Sequence, residues 1–235
     1  MSNLSHDLRS PLTATVACLE TLQAHGARAA AADAELIEVA LRNTRNAARL
    51  VQSLGDLARL DEPEFRLQPL TVDVVELLDD IVLRFAERAR AGGVTLRAAQ
   101  PDGGATAWLD VELFERAVAN LLDNALKFCR PGDAIEVRAQ VAGDWLRVTV
   151  ADTGPGIAAA ELPQLFDRFF QGRQPEQQGT AGPAPVGGGL GLGLAIVKRI
   201  AELHGGDAEV SSAPGQGTTV TLAFPVQPPP ASGKP

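Results

Sequence analysis

From Ile37 to Ala58, small and apolar residues recur as Ile37, Ala40, Thr44, Ala47, Val51, Leu54 and Ala58, in steps of three and four. That spacing is the seam of a coiled-coil-like helix, and it constrains the fold more than any other stretch of the chain. Upstream, Leu4, Leu8, Leu12, Val16, Leu19 and Leu22 repeat the same steps. A first helix is therefore expected to run to about His25-Gly26, where glycine ends it, and a second from about Asp33 to Leu60. Two helices with one stripe each cannot close a core. Pairing two such hairpins into a dimeric four-helix bundle buries every stripe.

Asp61-Glu62-Pro63 breaks the pattern and reads as a linker. Beyond it, Phe65 to Leu70 predicts a short strand and Val72 to Arg90 a helix ending at Gly92-Gly93. Val94-Thr95-Leu96 and Ala107-Trp108-Leu109 predict two more strands, and Asp110 caps a helix running to about Phe128. Ile135, Val137, Ala139 and Val141 alternate with Glu136, Arg138 and Gln140. Leu146, Val148 and Val150 do the same after Gly143-Asp144, which makes a hairpin with one buried face. A further strand pair, Ala208 to Ser211 and Thr218 to Phe224, flanks Pro214-Gly215-Gln216-Gly217 and follows the apolar helix Ala195 to Leu203. Gln171 to Gly189 is too polar to pack and too long for a connector, so it reads as a mobile lid. Pro228 to Pro235 has the composition of a disordered tail.

The 235 residues are 45% hydrophobic and 21% charged, which suits a globular chain of one or two domains. No apolar run reaches membrane-spanning length and no signal peptide opens the chain. Cys18 and Cys129 sit in apolar helical patterns, so neither a disulfide framework nor a metal site is expected. A net charge of −8 argues against broad nucleic-acid binding. These features together predict a cytoplasmic setting, or the soluble part of a larger membrane-attached sensor. Only five residues precede His6, which leads us to expect that something upstream has been removed.

Four stretches carry chemistry. His6 lies two positions from both Leu4 and Leu8, which at about 100° per residue turns it to the wet face of its helix. Asp7 can hold one imidazole tautomer and leave the other ring nitrogen free to react, and Pro11 bends the helix one turn later. A solvated histidine before a kink has the same pattern. Asn120, Asn124 and Lys127 share one helical face, where two amide oxygens and an ammonium can hold a magnesium ion and the phosphates it bridges. Asp152-Thr153-Gly154-Pro155-Gly156 ends a buried strand, where a carboxylate can accept from an exocyclic amine while the glycines admit a ring. Gly187 to Gly193 places free backbone N–H groups ahead of a helix, without the spacing of a dinucleotide fingerprint or the lysine of a P-loop.

In this order and company the motifs resemble those of two-component sensor histidine kinases across nearly the whole chain. His6 to Leu12 resembles the phosphoacceptor box, Asn120 to Lys127 the asparagine box, and Asp152 to Gly156 the first glycine box. Gly189 to Leu194 resembles the second glycine box, and Leu165 to Phe170 the aromatic box before the lid. The resemblance implies an α+β architecture: a dimerisation and histidine phosphotransfer domain over 1–62, an α/β-sandwich ATP-binding domain with a mixed sheet over 65–226, and a disordered tail over 227–235. It implies that His6 attacks the γ-phosphate of ATP while Asp7 orients the ring. Mg²⁺ falls to Asn124 with Asn120, the phosphates to Lys127, and adenine to Asp152. Gly154, Gly156, Arg168, Gly189, Gly191, Leu192, Gly193 and Leu194 complete the nucleotide site by the same resemblance. The phosphoryl group then passes to an aspartate of a response regulator docked around Thr13, Ala17 and Cys18 of the homodimer.

This chain departs from the common pattern at Asp7, where many members carry Glu, and at Ser10, where a threonine is linked to phosphatase action. Leu190 and Gln171 replace a frequent hydroxyl and a frequent basic residue. Two other readings share the resemblance: an ATPase of the gyrase, MutL and Hsp90 type, or a catalytically silent scaffold. The first needs a water-activating Glu where this chain has Asn120. Residues 171–188 are expected to order only when ATP and Mg²⁺ bind, because they have little apolar surface to offset backbone entropy.

Overall fold

The computed structural model describes residues 12–22, 30–99, 104–172 and 191–227, and only the backbone over 30–35. His6, Asp7, Ser10, Gly189, Leu190, residues 173–188 and the tail from Pro228 lie outside the described residues, as does the helix end expected at His25-Gly26. The chain divides into two compact units, Met1–Glu62 and Pro63–Pro235.

In the first unit, helix α1 covers 12–22 and helix α2 covers Ala30–Leu60. α2 starts three residues ahead of the sequence expectation. The run Ala30-Ala31-Ala32 accounts for the difference, since alanine is the best helix former. Along α2, Ala40, Asn43 and Ala47 are buried, and the Thr44 hydroxyl returns its proton to the Ala40 carbonyl at 2.9 Å. Several larger stripe residues stay open: Leu12, Val16, Leu19, Ile37 and Val51 are each about half exposed or more. One hairpin alone cannot cover them.

The second unit contains β1 (Leu70–Asp73), α3 (Val74–Ala91), β2 (Thr95–Ala99), β3 (Thr106–Leu109), α4 (Val111–Phe128), β4 (Ala134–Ala142), β5 (Trp145–Asp152), a short 3₁₀ turn at Leu162–Gln164, α5 (Gly193–Leu203), β6 (Asp207–Ser212) and β7 (Thr218–Pro225). The sequence places the first strand over Phe65 to Leu70; it lies instead at Leu70–Asp73, paired antiparallel with β3 from Leu70↔Leu109 to Asp73↔Thr106. Two residues explain the shift. Pro69 has no N–H for a ladder, and the Gln68 N–H donates to the Asp110 carboxylate at 2.9 Å, which ends pairing there. The helix expected from Val72 starts at Val74 because Asp73 caps it, accepting from Val75 N–H at 2.9 Å.

The main sheet has strand order β2-β4-β5-β7-β6, with β2 parallel to β4 and the other neighbours antiparallel, so it is mixed. Its alternation follows the sequence expectation except at Val141, which is 40% exposed toward the end of β4. Ile135, Val137, Ala139, Leu146, Val148, Val150, Leu222 and Phe224 are buried on one face, in a register that sets Val137 opposite Val150 and Leu146 opposite Phe224. The buried sides of α3, α4 and α5 supply Leu78, Ile81, Phe114, Leu122, Ile196 and Ile200. Phe114 of α4 meets Phe224 of β7 edge-on, with ring centroids 5.4 Å apart.

Candidate functional site

Three helices of the second unit begin differently. α3 and α4 each start on an aspartate whose carboxylate accepts a first-turn N–H: Asp73 from Val75, and Asp110 from Leu113 at 3.3 Å. α5 starts on Leu192, whose side chain cannot accept, and it has no acidic residue in its first turn. The first N–H groups of that helix are therefore left for an outside acceptor, in the positive end of the helix dipole. Leu192 itself is buried and Gly193 is the first helical residue, two positions earlier than the sequence expectation.

α4 brings its polar stripe to this place. A Cβ on Gly193 would lie 3.7 Å from the Asn124 amide nitrogen and 3.9 Å from the Asn120 amide oxygen, which places both carboxamides over the start of α5. The Asn120 amide nitrogen is buried without a hydrogen-bond partner. A buried, unpaired donor costs about 1–3 kcal/mol, so its survival here points to a ligand that would accept from it. Lys127 continues the stripe; its ammonium lies 4.8 Å over the Phe128 ring, and partial burial lowers its pKa from the ordinary lysine value.

At the end of α4 the chain turns under the second part of the site. Asp152 closes β5, and its Oδ1 accepts from Gly154 N–H at 2.9 Å and Thr218 N–H at 3.3 Å. Both bonds fall on one oxygen, which leaves Oδ2 for a donor from outside. Burial pushes the Asp152 carboxyl above the usual carboxylate range; the two N–H donors pull the other way, and nearby Asp133 adds to the rise. The Cys129 thiol borders the same loop, 3.6 Å from the place a Cβ on Gly154 would take. Burial first, then the Asp152 and Asp133 charges, push that thiol up to about 12, so it stays protonated and serves as apolar wall.

The glycines are steric requirements here. Gly156 has φ +69°, and a Cβ on it would fall 1.9 Å from the Ala213 carbonyl oxygen. A Cβ on Gly217, at φ +77°, would fall the same 1.9 Å from the Asp152 carbonyl oxygen. The loop after β5 thus packs backbone to backbone on the β6–β7 turn. Phe169 and Gly191 do the equivalent on either side of residues 173–190: the Phe169 N–H donates to the Gly191 carbonyl at 2.9 Å, with Phe169 at φ +66°. A Cβ on Gly191 would meet the Phe170 carbonyl oxygen at 2.2 Å. Arg168 is exposed beside that pinch, and the Lys198 ammonium lies 5.7 Å over the Phe166 ring.

Asn120, Asn124, Gly191, Leu192, Gly193 and Leu194 are thus brought to one end of the α4–α5 pair, and Asp152, Gly154 and Gly156 to the loop beyond the end of α4. The sequence missed three contributors. Thr218 holds the Asp152 carboxylate through its backbone, and Cys129 lines the loop. His204, at the end of α5, is buried and has both ring nitrogens engaged. No local signal announces them, because Thr218 meets Asp152, Cys129 borders Gly154 and His204 accepts from Asp110, all distant in sequence.

Comparison with known proteins settles which family builds such a site. The family described as "Histidine kinase-, DNA gyrase B-, and HSP90-like ATPase" matches residues 109–228, and the "His Kinase A (phospho-acceptor) domain" matches residues 1–63. The chain belongs to the sensor histidine kinases. It is 34% identical to the sensor histidine kinase TmoS of Ectopseudomonas mendocina, over 97% of this chain and 23% of that protein. The full-length kinase ShkA in complex with AMPPNP matches with a TM-score of 0.70 at 26% identity, over 97% of this chain and 46% of that one. The histidine kinase ThkA, solved in complex with the response regulator TrrA, shares the fold with a TM-score of 0.77 at 18% identity, over 97% of this chain and 61% of that one. The chain spans 23% of the length of one curated relative it matches and 58% of another, less than two thirds of either. Among its described residues no helix is long and apolar enough to cross a membrane.

Proposed function

We propose that this chain is the catalytic core of a sensor histidine kinase that phosphorylates its own His6 from Mg-ATP and passes the phosphoryl group to an aspartate of a response regulator. The observation that carries the reading is the buried, unpartnered amide nitrogen of Asn120, whose carboxamide stands with that of Asn124 over the uncapped start of α5. An anionic ligand at that helix start would satisfy both the amide and the free N–H groups. ShkA, which shares the fold, binds the ATP analogue AMPPNP in its structure.

Mg²⁺ fits the donor set. Asn124 and Asn120 are the residues that would hold the ion, through their amide oxygens, with its remaining ligands coming from phosphate and water. When bound it neutralises charge on the phosphates. Lys127 adds a second positive charge toward them, and Asp152 Oδ2 accepts from the adenine amine. Gly154 and Gly156 let the ring approach, and Arg168 with Gly189 to Leu194 close the phosphate side.

In the transfer step the His6 Nε2 lone pair forms a bond to the γ-phosphorus as the bond to the β,γ-bridging oxygen breaks, and ADP leaves. Asp7 holds the Nδ1 proton and stabilises the ring as it gains positive charge. Catalysis is then positioning and charge neutralisation. Asn120 has no basic group, so water is not activated and the phosphoryl group goes to histidine rather than to solvent. Residues 1–62 dimerise through the apolar stripe that a single hairpin leaves open, and the regulator docks around Thr13, Ala17 and Cys18. ThkA, of the same fold, was solved with the response regulator TrrA. Ser10 is the candidate residue for a phosphatase activity. ATP labelled on the γ-phosphate distinguishes the readings: a kinase yields acid-labile label on protein, an ATPase yields free phosphate, and a silent scaffold yields neither.

A further inference from the structure

Ser212, the last residue of β6, has a hydroxyl with three partners. It accepts the Ile157 N–H at 2.8 Å, reaches the Gly217 carbonyl at 2.7 Å, and lies 3.0 Å from the Thr218 hydroxyl. A serine hydroxyl has one proton and two lone pairs. The arrangement uses all of them: the proton goes to Gly217, and the lone pairs take the Ile157 N–H and the Thr218 O–H.

Each partner leads back to Asp152. Ile157 follows Gly156 in the loop that leaves the carboxylate. Gly217 packs its α-carbon against the Asp152 carbonyl, and Thr218 donates its N–H to Asp152 Oδ1. Gly215 adds a parallel tie, its N–H donating to the Pro155 carbonyl at 2.7 Å. The loop after β5 and the turn between β6 and β7 are therefore two sides of a closed ring of contacts, with Asp152 at one end and the Ser212 hydroxyl at the other. Without that hydroxyl, one part-buried N–H and one carbonyl lose their partner, and the turn that presents Thr218 N–H is freed.

We propose that Ser212 is a positioning residue for nucleotide selection: its hydroxyl fixes the orientation of the Asp152 carboxylate, and through it the preference for a purine that carries an exocyclic amine. This rests on the reading of Asp152 as the group that accepts from adenine. Ser212 touches no ligand; it acts by holding the loop and the turn in register.

The test compares binding of ATP with that of purine riboside triphosphate, which lacks the amine, to the parent chain and to Ser212→Ala, Ser212→Thr and Asp152→Asn. The parent is expected to favour ATP about tenfold or more, the value of a hydrogen bond to a charged acceptor. Ser212→Ala lowers that ratio at least about threefold, and Ser212→Thr, which keeps the hydroxyl, restores it. Asp152→Asn abolishes the preference. Should Ser212→Ala weaken both nucleotides equally and leave the ratio intact while Asp152→Asn collapses it, the proposal for Ser212 is overturned and the adenine reading stands. A ratio unmoved by Asp152→Asn overturns the adenine reading itself. Where Ser212→Ala does not fold, Ser212→Cys keeps the volume with weaker bonds and must give an intermediate ratio; an unchanged ratio there also overturns the proposal.

Discussion

Asp152 is held by two backbone N–H groups on one oxygen and is pushed toward protonation by burial and by Asp133. A carboxyl whose folded pKa is raised contributes stability below its unfolded pKa and loses it as pH rises through the folded value. The charged form of the carboxyl is therefore the one the fold disfavours. Asp152→Asn keeps an oxygen for Gly154 and Thr218 and removes that charge, so the nucleotide-free variant should melt at a higher temperature than the parent. The same change turns an N–H₂ toward the adenine amine, and a buried unsatisfied pair costs about 1–3 kcal/mol, so ATP should bind about ten to a hundred times more weakly. Thermal unfolding and a binding titration check the two halves. A variant that is less stable and binds ATP as well as the parent contradicts the role given to Asp152. The residue was legible in the sequence because a strand and a glycine-rich turn are adjacent to it. Its second donor was not, since Thr218 lies 66 residues away and meets it only through the β5–β7 ladder.

Helices α4 and α5 carry the polar stripe and the open helix start, and His204 ties their far ends together. Its Nε2 accepts the Asp110 N–H at 3.0 Å and its Nδ1–H donates to the Ile200 carbonyl at 2.8 Å, while its ring meets Phe224 edge-on at 5.3 Å. That arrangement requires the neutral ring. Burial lowers the His204 pKa from its ordinary value, against smaller opposing effects of the Ile200 bond and the Asp110 charge. With the folded pKa below the unfolded one, stability is complete above about pH 6.5 and falls as pH drops toward the folded value, because the unfolded chain takes up the proton first. Urea unfolding at pH 7.5 and pH 5.5 should show this loss in the parent. His204→Phe, which lacks the acceptor, should cost about 1–3 kcal/mol at the higher pH and lose less on acidification. An equal pH dependence in both would remove His204 as its source. These helices were readable because caps and stripes are local: Asp110 marks the start of α4, and Asn120, Asn124 and Lys127 follow at helical spacing. β1 was misplaced for the opposite reason, as the bond from Gln68 to Asp110, across 42 positions, decides where it begins.

The first unit shows what a chain cannot do alone. Ala40 and Ala47 of the predicted seam are buried, while Ile37 and Val51 stay 48% and 61% exposed, and Leu12, Val16 and Leu19 of α1 remain open beside them. A single copy leaves this apolar stripe in water, and the proposed dimer would cover it. Val51→Asp should accordingly shift the chain from dimer to monomer in sedimentation, with the second unit still folded and still binding nucleotide. A monomeric parent would contradict the four-helix bundle. The seam itself was plain in the sequence, because a strict alternation of three and four is a pattern of the helix alone. Which of its positions face a partner was not, since a second copy decides that.

The central claim joins two units: His6 in the helical one receives what the α4–α5 site of the other holds. Incubating the parent chain and His6→Gln with Mg²⁺ and ATP labelled on the γ-phosphate, and measuring ATP affinity for both, tests it most directly. The parent should gain acid-labile, base-stable label, and His6→Gln should gain none while binding ATP with nearly unchanged affinity. Label of the same kind on His6→Gln would show that another residue is the acceptor, and the account would be wrong.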